Sequence, residues 1–381
     1  MISSSFYPII GGSENSIRRM SQYLVEHYAL PIRVLTRRYN TGPGGILPAR
    51  DTVDGVPVTR VWSPGETGFS IFAFFCFGLW HLLWNGRRGI YEAHDFKGSN
   101  WIAVFAKYLY RGKAVIRLRT GRYRYEILLR SGFTRWQILA SLRLADRIIV
   151  VNDEMARYLS EMGFGTDKVV RITNAIETRL FTPNPGTDKT ALRKKLGLPA
   201  DKKIFLYTGR PKRIKGFDLL LQAWALLPGQ IRDSSVLIAV GMREGEDPVN
   251  EFLGNGNEMK SIVLVGLQED VREYYRAADV FVLASRTEGM SNSLLEAMAS
   301  GLPALASNVG GAADLIEDGR NGYLFETGNP LHLSEKILAL LDREADWQDM
   351  GKHARQAVID QAEMELCAQK RRELYSQLAL S

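Results

Sequence analysis

Two cations and two carboxylates carry most of the chemistry that this sequence could perform. Arg210 and Lys215 lie in the segment 209–216, which directly follows a predicted strand. Glu288 and Glu296 follow another predicted strand further along the chain. Arginine and lysine bind anions such as phosphate groups, whereas carboxylates accept hydrogen bonds from hydroxyl groups. These four side chains are therefore the first candidates for a binding or catalytic site.

The residues between the two glutamates predict a helix start that adds backbone donors. Ser291 has the side chain of an N-cap, and apolar residues follow it at helical spacing. Free N–H groups at a helix start favour an anion. The cations and backbone amides could bind a pyrophosphate, and each of the two carboxylates could bind one sugar ring. This combination fits a ligand in which a sugar is linked through a diphosphate to a nucleoside. The residues whose backbone is expected to face this donor are Gly289, Met290, Ser291, Asn292 and Ser293.

Each of these features has a simpler explanation when it is taken alone. A single glutamate in an early helical turn usually serves the helix dipole or a cap. Gly11 and Gly12 follow the first predicted strand and lead into a helix, where they form either a tight turn or a phosphate cradle. The coincidence of both glutamates with an Arg/Lys loop after a neighbouring strand favours a binding site.

Short apolar runs alternate with helical patterns along the whole chain. This alternation is typical of repeated β-α units and parallel sheets, in which ligands bind beyond the carboxyl ends of the strands. The fold class is therefore α/β, with two doubly wound Rossmann-like domains that face a central cleft. The predicted strands are 2–5, 32–36, 56–62, 90–93, 114–118, 147–151, 169–172, 204–208, 236–240, 262–265, 280–283 and 303–306.

The length of 381 residues suits two domains better than one. The segment 181–188 is rich in turn-forming residues and is the predicted linker. We expect one domain over 1–180 and a second over 181–361. With 45% hydrophobic and 24% charged residues, the composition is that of a globular protein and argues against disorder.

The net charge of +7 is unevenly distributed. Residues 1–180 hold 25 Lys and Arg against 14 Asp and Glu, a net charge of +11, whereas the remaining residues hold 24 against 28, a net charge of −4. Much of the excess lies in 111–147, where aromatic residues are interspersed with arginines. A nucleic acid, an anionic membrane or a phosphorylated substrate would explain this basic region, and so would a plain solvated surface.

A few features bear on cellular location. The opening residues lack the basic start of a secretory signal, and Cys76 and Cys367 lie far apart without a Cys/His cluster, which predicts a reducing compartment and no zinc site. The longest apolar run, 69–84, is shorter than the roughly 20 residues that cross a bilayer. We expect a cytoplasmic protein in which this run is a buried or half-buried helix, or one whose Phe/Trp-rich face dips into the inner membrane surface.

Several motifs together resemble the retaining glycosyltransferases of family 4, which have two Rossmann-like domains in the arrangement called GT-B. The resemblance covers nearly the whole chain, and its most specific part is the pair of glutamates with the run that ends at Pro303. It rests on the segments 7–14, 91–95, 170–176, 209–216 and 288–303, which read YPIIGGSE, YEAHD, VRITNAI, GRPKRIKG and EGMSNSLLEAMASGLP.

The resemblance implies transfer of a sugar from a UDP- or GDP-linked donor with retention of configuration and without a cofactor. The first domain would bind the acceptor, the second would bind the nucleotide sugar, and a terminal helix over about 362–381 would pack back on the first domain. The acceptor would be a cell-surface or lipid-linked glycan, with peripheral contact to an anionic membrane.

The resemblance also assigns roles to individual residues. Glu288, which would touch the donor sugar, is an expected catalytic residue together with Arg210 and Lys215, which would hold the diphosphate. Glu296 would bind the ribose hydroxyls. The remaining donor contacts would come from Gly11 and Gly12 at the diphosphate and from the backbone around Leu267 at the base.

Two positions depart from the family pattern. Arg119 follows the predicted strand 114–118, where many relatives have a histidine thought to contact the donor, and Asn174 is followed by Ala175 instead of glycine. His94 follows another predicted strand, although a single histidine is more often a structural residue. Arg119, His94 and Asn174 are therefore candidates for acceptor or donor contacts.

The sequence contains no Asp-x-Asp motif, so we expect no metal, and the acidic residues at 244, 246 and 247 are predicted to lie in a solvated loop. Protein cations and helix N–H groups would then stabilise the departing diphosphate. Two other functions stay open. One is a two-domain sugar phosphorylase or epimerase, and the other is a basic nucleic-acid-binding protein, although no familiar nucleic-acid-binding motif is visible.

Overall fold

The chain forms two compact units, Met1–Ala175 with Met364–Ser381 and Ile176–Glu363. This computed structural model describes residues 1–9, 11–38, 45–65, 68–183, 186, 188–243, 245, 248–253 and 260–381. The division falls between Ala175 and Ile176, compared with the expected boundary between 180 and 181. Residues 184, 185 and 187 of the expected linker, Ile10 of the first glycine loop and the acidic positions 244, 246 and 247 lie outside the described residues.

The strands of the first unit form two groups that Ile2 connects. The first group has the order β1 (Val34–Arg38), β3 (Val56–Trp62) and β2 (Arg50–Val53), and the second has the order β4 (Ile90–Ala93), β5 (Lys113–Leu118), β6 (Arg147–Val150) and β7 (Val169–Arg171). Only β2 runs antiparallel to its neighbour among these described strands. Ile2 forms parallel bridges to Leu35 of β1 and Ala93 of β4. The strand predicted over 2–5 is thus reduced to a bridge, because its later residues turn into the glycine loop.

The described strands of the second unit form one parallel sheet. Its order is β10 (Ile262–Gly266), β9 (Ser235–Met242), β8 (Lys203–Thr208), β11 (Val280–Leu283), β12 (Ala304–Ser307) and β13 (Gly322–Phe325). Along the chain, β9 and β10 are added on one side of β8. The chain then returns to the other side of β8, where β11, β12 and β13 are added in turn. This reversal creates a switch point between β8 and β11, where doubly wound sheets bind their ligands.

Helices connect the strands of both units and cover the sheets with their apolar sides. Those of the first unit are α1 (Gly12–Tyr28), α2 (Gly68–Asn85), α3 (Ser99–Tyr110), α4 (Arg122–Leu128), α5 (Gly132–Leu144) and α6 (Asp153–Glu161). Those of the second unit are α7 (Lys189–Lys195), α8 (Phe217–Ala225), α9 (Gly229–Ser234), α10 (Pro248–Leu253), α11 (Arg272–Ala277), α12 (Asn292–Ala299), α13 (Ala312–Leu315), α14 (Pro330–Leu341) and α15 (Trp347–Ala362). In the second unit, Phe205 and Val280 of the sheet pack with Leu220 and Trp224 of α8.

The last helix, α16 (Met364–Leu380), belongs to the first unit. Its Cys367 and Leu374 share a buried cluster with Leu24 of α1. It also contributes two polar groups to the interior: the hydroxyl of Tyr375 donates to Oε2 of Glu92 at 2.5 Å, and the guanidinium of Arg371 lies 3.2 Å from Oε1 of the same carboxylate. The terminal helix expected over about 362–381 corresponds in position to α16.

Candidate functional site

The loops after β8 and β11 meet at the switch point of the second unit. Lys215 ends a 3-10 turn over Arg213–Lys215, and Glu288 lies in the loop between β11 and α12. Nζ of Lys215 donates to Oε1 of Glu288 at 2.5 Å. The structure therefore brings together a cation and a carboxylate that are 73 residues apart in the sequence.

The two partners of this ion pair differ in exposure. The side chain of Lys215 is 42% exposed, whereas that of Glu288 is 12% exposed. The hydroxyl of Ser285 also donates to Oε1 of Glu288, at 2.9 Å, so that this oxygen is held from two sides. An ion pair with one partner this exposed contributes about 1 kcal/mol or less. Lys215 therefore remains accessible from solvent to an anion.

Gly216 allows the loop after β8 to come this close to β11. Its φ is +64°, in the left-handed region, and a Cβ at this position would overlap the carbonyl oxygen of Ala284. Ala284 directly follows β11. The backbone of the Lys215 loop therefore lies against the end of β11, where any side chain larger than hydrogen is excluded.

A second ion pair fixes the same two loops to each other. Arg286 donates from its two terminal nitrogens to both oxygens of Asp218, at 2.6 and 2.8 Å, and it also donates to the carbonyl of Arg213. Burial opposes the charged form of Asp218, but the bonds from Arg286 outweigh it and hold the pKa of this carboxyl below its usual value. Neither Arg286 nor Asp218 stood out in the sequence. Their pairing depends on the approach of two loops that are distant in the chain.

Arg210 places its side chain in solvent at the end of β8, while its backbone is fixed. The hydroxyl of Tyr207 donates to the carbonyl of Arg210 at 2.9 Å. Burial, with the Glu288 carboxylate as a second cause, raises the pKa of Tyr207. This hydroxyl therefore stays protonated and remains a donor. Lys212 of the same loop is also exposed.

Glu296 is oriented by a buried tyrosine that sequence reasoning missed. The hydroxyl of Tyr275, in α11, donates to Oε2 of Glu296 at 3.0 Å and lies 2.8 Å from Oγ1 of Thr208. Thr208 is the last residue of β8. These contacts connect Glu296 to the strand that precedes Arg210. No signal in the sequence separates Tyr275 from an ordinary core aromatic.

The start of α12 has the predicted cap. Oγ of Ser291 accepts from the backbone N–H of Leu294 and lies 3.0 Å from Oγ of Ser293. Gly289 and Met290 are buried, and the carbonyl of Gly289 accepts from the N–H of Gly311 at 2.7 Å. Asn292 and Ser293 are half-buried at the first turn.

Leu267, the residue expected near the base, lies at a different point of the same sheet edge. It is 65% exposed and follows β10, which β9 separates from β8. The hydrogen bonds described above join the loops after β8 and β11, and none of them involves Leu267.

In the first unit, the predicted glycine loop leads directly into a helix. Gly12 is the first residue of α1, and Gly11 is its N-cap, with extended backbone. Glu14, in the first turn, accepts from the hydroxyl of Ser5. The loop therefore places a carboxylate beside the N-terminus of α1.

Arg119 lies near this carboxylate. It follows β5 and is half-buried, and burial lowers its pKa while the carboxylates of Glu14 and Asp95 oppose that shift. Oδ2 of Asp95 accepts from the backbone N–H of Ser4 at 2.6 Å. The first unit thus gathers one cation and two carboxylates near its own strand ends.

His94 and Asn174 are both buried within the first unit. Nε2 of His94 lies 3.1 Å from Oε1 of Glu92. Burial lowers the pKa of His94 to about 4 against the opposing effect of Glu92, so that the imidazole is neutral near pH 7. Oδ1 of Asn174 accepts from Arg117 at 3.2 Å.

Potential metal ligands do not cluster in the part of the chain that the structure describes. No group of three or more His, Cys, Asp and Glu side chains there is arranged to hold a metal ion.

Two family models match the chain, one in each unit. The model "Glycosyl transferase 4-like domain" matches residues 11–175, and "Glycosyl transferases group 1" matches residues 188–357. The chain is 32% identical over 223 residues to D-inositol 3-phosphate glycosyltransferase of Xylanimonas cellulosilytica, which covers 56% of this chain and 51% of that protein. It is 26% identical over 217 residues to N-acetyl-alpha-D-glucosaminyl L-malate synthase of Bacillus anthracis, with 57% and 56% covered. The match thus spans about half the length of these curated relatives.

Solved structures share the fold over nearly the whole chain. Sucrose-phosphate synthase from Thermosynechococcus elongatus has a TM-score of 0.83 at 23% identity and covers 97% of this chain and 94% of its own. The Anabaena protein HepE in complex with UDP-glucose has a TM-score of 0.75 at 18% identity and covers 99% of both chains. The expected α/β fold of the GT-B type is confirmed. With the two family models that match its two units, the chain belongs to the family 4 type of GT-B glycosyltransferases.

Proposed function

We propose that this chain transfers a sugar from a nucleoside-diphosphate donor to a glycan acceptor, with retention of anomeric configuration. The observation that carries the proposal is the contact of Lys215 with Glu288 at the switch point of the second unit. It places a cation for phosphate next to a carboxylate for sugar hydroxyls. The names of the curated relatives and the UDP-glucose in the HepE complex support a nucleotide sugar, and UDP or GDP is the proposed nucleotide.

Donor binding would rearrange the ion pair. The diphosphate carries more charge than one carboxylate, so Lys215 would turn from Glu288 toward it, joined by Arg210 and the N–H groups at the start of α12. Oε1 of Glu288, which also accepts from Ser285, would then accept from a hydroxyl of the donor sugar in place of Lys215. Glu296, oriented by Tyr275, would accept from the ribose hydroxyls.

The reaction would proceed on one face of the donor sugar. The bond between the anomeric carbon and the diphosphate oxygen breaks, and its electron pair leaves with the diphosphate, where the cations and N–H groups stabilise the charge. The acceptor oxygen bonds to the anomeric carbon from the same face, and its proton passes to the departing phosphate oxygen. No protein side chain acts as a strong base in this scheme.

The proposed acceptor is a cell-surface or lipid-linked glycan bound by the first unit. Arg119 is the candidate for a phosphate on it, with His94 and Asn174 as further candidates for acceptor or donor contacts. The net charge of +11 on residues 1–180 supports an anionic partner. We further propose a cytoplasmic protein in peripheral contact with the anionic inner face of a membrane.

Replacing Lys215 with alanine is expected to weaken nucleotide binding about tenfold or more, because a hydrogen bond to a charged group contributes about 1.5–3 kcal/mol. Thermal stabilisation by UDP, GDP and ADP and by their sugars first identifies the nucleotide. Calorimetric titration then compares the variant with Lys212→Ala, an exposed cation of the same loop, which is expected to bind as wild type does. Equal affinity of Lys215→Ala and wild type would contradict the assigned site.

The proposal also predicts turnover without a divalent ion, since protein groups neutralise the diphosphate. Release of nucleoside diphosphate from the donor is expected to continue at the same rate in excess EDTA. Activity that stops with EDTA and returns with magnesium or manganese would contradict it. Release that depends on added glycan acceptor separates a transferase from an epimerase or a phosphorylase.

A further inference from the structure

The outer side of α2 is apolar along its whole length. Between residues 69 and 84, buried side chains of α2 face the interior, including those of Phe74 and Leu82. The exposed ones recur every three or four residues and so form one stripe along the helix. They are Phe69, Phe72, Cys76, Phe77, Trp80, Leu83 and Trp84. A helix that faces water normally carries polar residues on this side.

Two neighbouring helices extend this stripe. Phe105, on α3, is 47% exposed, and Phe133 and Trp136, on α5, are 75% and 62% exposed. Ring contacts connect the helices: Phe75 of α2 lies 5.8 Å from Phe105, and Trp101 of α3 lies 6.3 Å from Trp136, measured between ring centroids. We call the exposed stripe of α2 together with Phe105, Tyr108, Leu109, Phe133 and Trp136 the aromatic surface. A continuous apolar patch of this extent marks an interaction site.

The charges around the aromatic surface have one sign. Residues 68–145 contain 13 Lys and Arg against 3 Asp and Glu. Of these acidic residues, Glu92 is buried, and Asp95 and Glu126 are half-buried. Exposed arginines follow α2 and α3 and lie on α5 beside the aromatic rings, at positions 87, 88, 111, 135 and 143. Aromatic rings flanked by cations match the boundary of an anionic bilayer, where rings enter the headgroup region and cations bind lipid phosphates.

We propose that the aromatic surface docks the first unit on an anionic lipid bilayer. The inference rests on the membrane contact proposed above and names the surface that makes it. The run 69–84 was expected to be too short to cross a bilayer, but the full helix α2 has 18 residues and, among the described residues, is the one helix long and apolar enough to do so. Its inner side packs on α3, β1 and β3, so that α2 lies along the membrane surface instead of crossing it.

The test is cosedimentation of the full chain with vesicles. The anionic vesicles contain phosphatidylglycerol and phosphatidylcholine in equal parts. We expect wild type to bind them at least about tenfold more tightly than vesicles of phosphatidylcholine alone, and we expect this binding to weaken as salt is added. The triple variant Phe72→Ser, Trp80→Ser, Trp84→Ser is expected to lose about tenfold or more on the anionic vesicles. The matched control Leu226→Ser, Leu331→Ser, which changes exposed residues of the second unit, is expected to bind as wild type does.

A charge variant tests the arginines separately. Arg87→Glu, Arg88→Glu is expected to weaken binding to anionic vesicles about tenfold and to leave binding to phosphatidylcholine unchanged. Brominated lipids test the orientation of α2. If the helix lies on the membrane surface, lipids brominated near the headgroup are expected to quench tryptophan fluorescence more strongly than lipids brominated at the chain end. The opposite order of quenching would contradict that orientation.

Three results would overturn the inference. The first is equal binding of wild type to both vesicle types, and the second is a triple variant that binds anionic vesicles like wild type. The third is a wild-type protein that is dimeric without lipid and a triple variant that is monomeric, which would assign the aromatic surface to contact with a second copy of the chain. Thermal stabilisation by nucleotide is measured on every variant. If nucleotide still stabilises a wild-type protein that does not bind vesicles, membrane docking by the aromatic surface is contradicted and the proposed function is not. If nucleotide does not stabilise a wild-type protein that binds vesicles, the proposed function is contradicted and membrane docking is not.

Discussion

Replacing Glu288 with glutamine is expected to lower donor turnover at least about a hundredfold, with nucleotide affinity changed by less than about threefold. The substitution keeps the shape of the side chain but removes the charge that faces Lys215 and that would face the donor sugar in the proposed complex. Loss of one preorganised electrostatic group in an active site typically costs about 10²–10³ in rate. Single-turnover assays and calorimetric titration of the nucleotide measure the two quantities.

A matched control for Glu288 exists in the same unit. Lys195 donates to Oε1 of Glu273 at 2.6 Å in an exposed pair on α7 and α11. Glu273→Gln therefore removes one carboxylate from a Lys–Glu pair that lies outside the proposed site, and wild-type turnover is expected. Wild-type turnover in Glu288→Gln would remove Glu288 from the proposed mechanism.

Replacing Gly216 with alanine is expected to destabilise the second unit by about 3 kcal/mol. The left-handed backbone costs an alanine about 1–2 kcal/mol, and the overlap with the carbonyl of Ala284 forces a shift that costs about 1–3 kcal/mol. The same shift moves Lys215, so nucleotide binding is expected to fall as well. Urea unfolding followed by circular dichroism measures the stability.

Gly229 provides the comparison for Gly216. It is the first residue of α9, and a Cβ there would meet no atom within 4 Å. Gly229→Ala is expected to unfold at the urea concentration of wild type or slightly above it, because alanine favours the helix. If Gly216→Ala also unfolds at the urea concentration of wild type, the inference that the loop after β8 lies against the end of β11 is wrong.

Several short strands could be predicted well from the sequence. The predicted bounds 56–62, 90–93 and 280–283 agree with β3, β4 and β11. The sequence predictions missed β2 and β13. β2 is a mostly exposed strand with the sequence Arg-Asp-Thr-Val, so its pairing with β3, and not its own burial, makes it a strand. β13 is a short edge strand that starts at Gly322.

The candidate site could be predicted only where residue type and position after a strand were enough. Lys215 and Glu288 met both conditions, and the structure brings them together. Tyr275 and Asp218 did not, because a buried tyrosine and an aspartate in a first helical turn are common in any fold. Their roles in holding Glu296 and Arg286 depend on contacts between distant segments.

The orientation of α2 shows a similar limit. Its composition left both a buried helix and a membrane-facing helix open, because composition does not identify the side that packs. The structure shows that Phe74 and Leu82 face inward while Phe72 and Trp80 face outward.

The position of α16 has a consequence for the synthesis of this protein. The chain leaves the first unit after Ala175 and returns to it only at Met364. In α16, the helix that returns, Arg371 pairs with the carboxylate of Glu92 and Tyr375 donates a hydrogen bond to it. While the ribosome is still translating the second unit, the nascent first unit lacks these partners and the apolar side of α16. It can therefore complete its interior only after the second unit has been synthesised and α16 has emerged, and no single cut of the gene between the two units yields two self-sufficient halves.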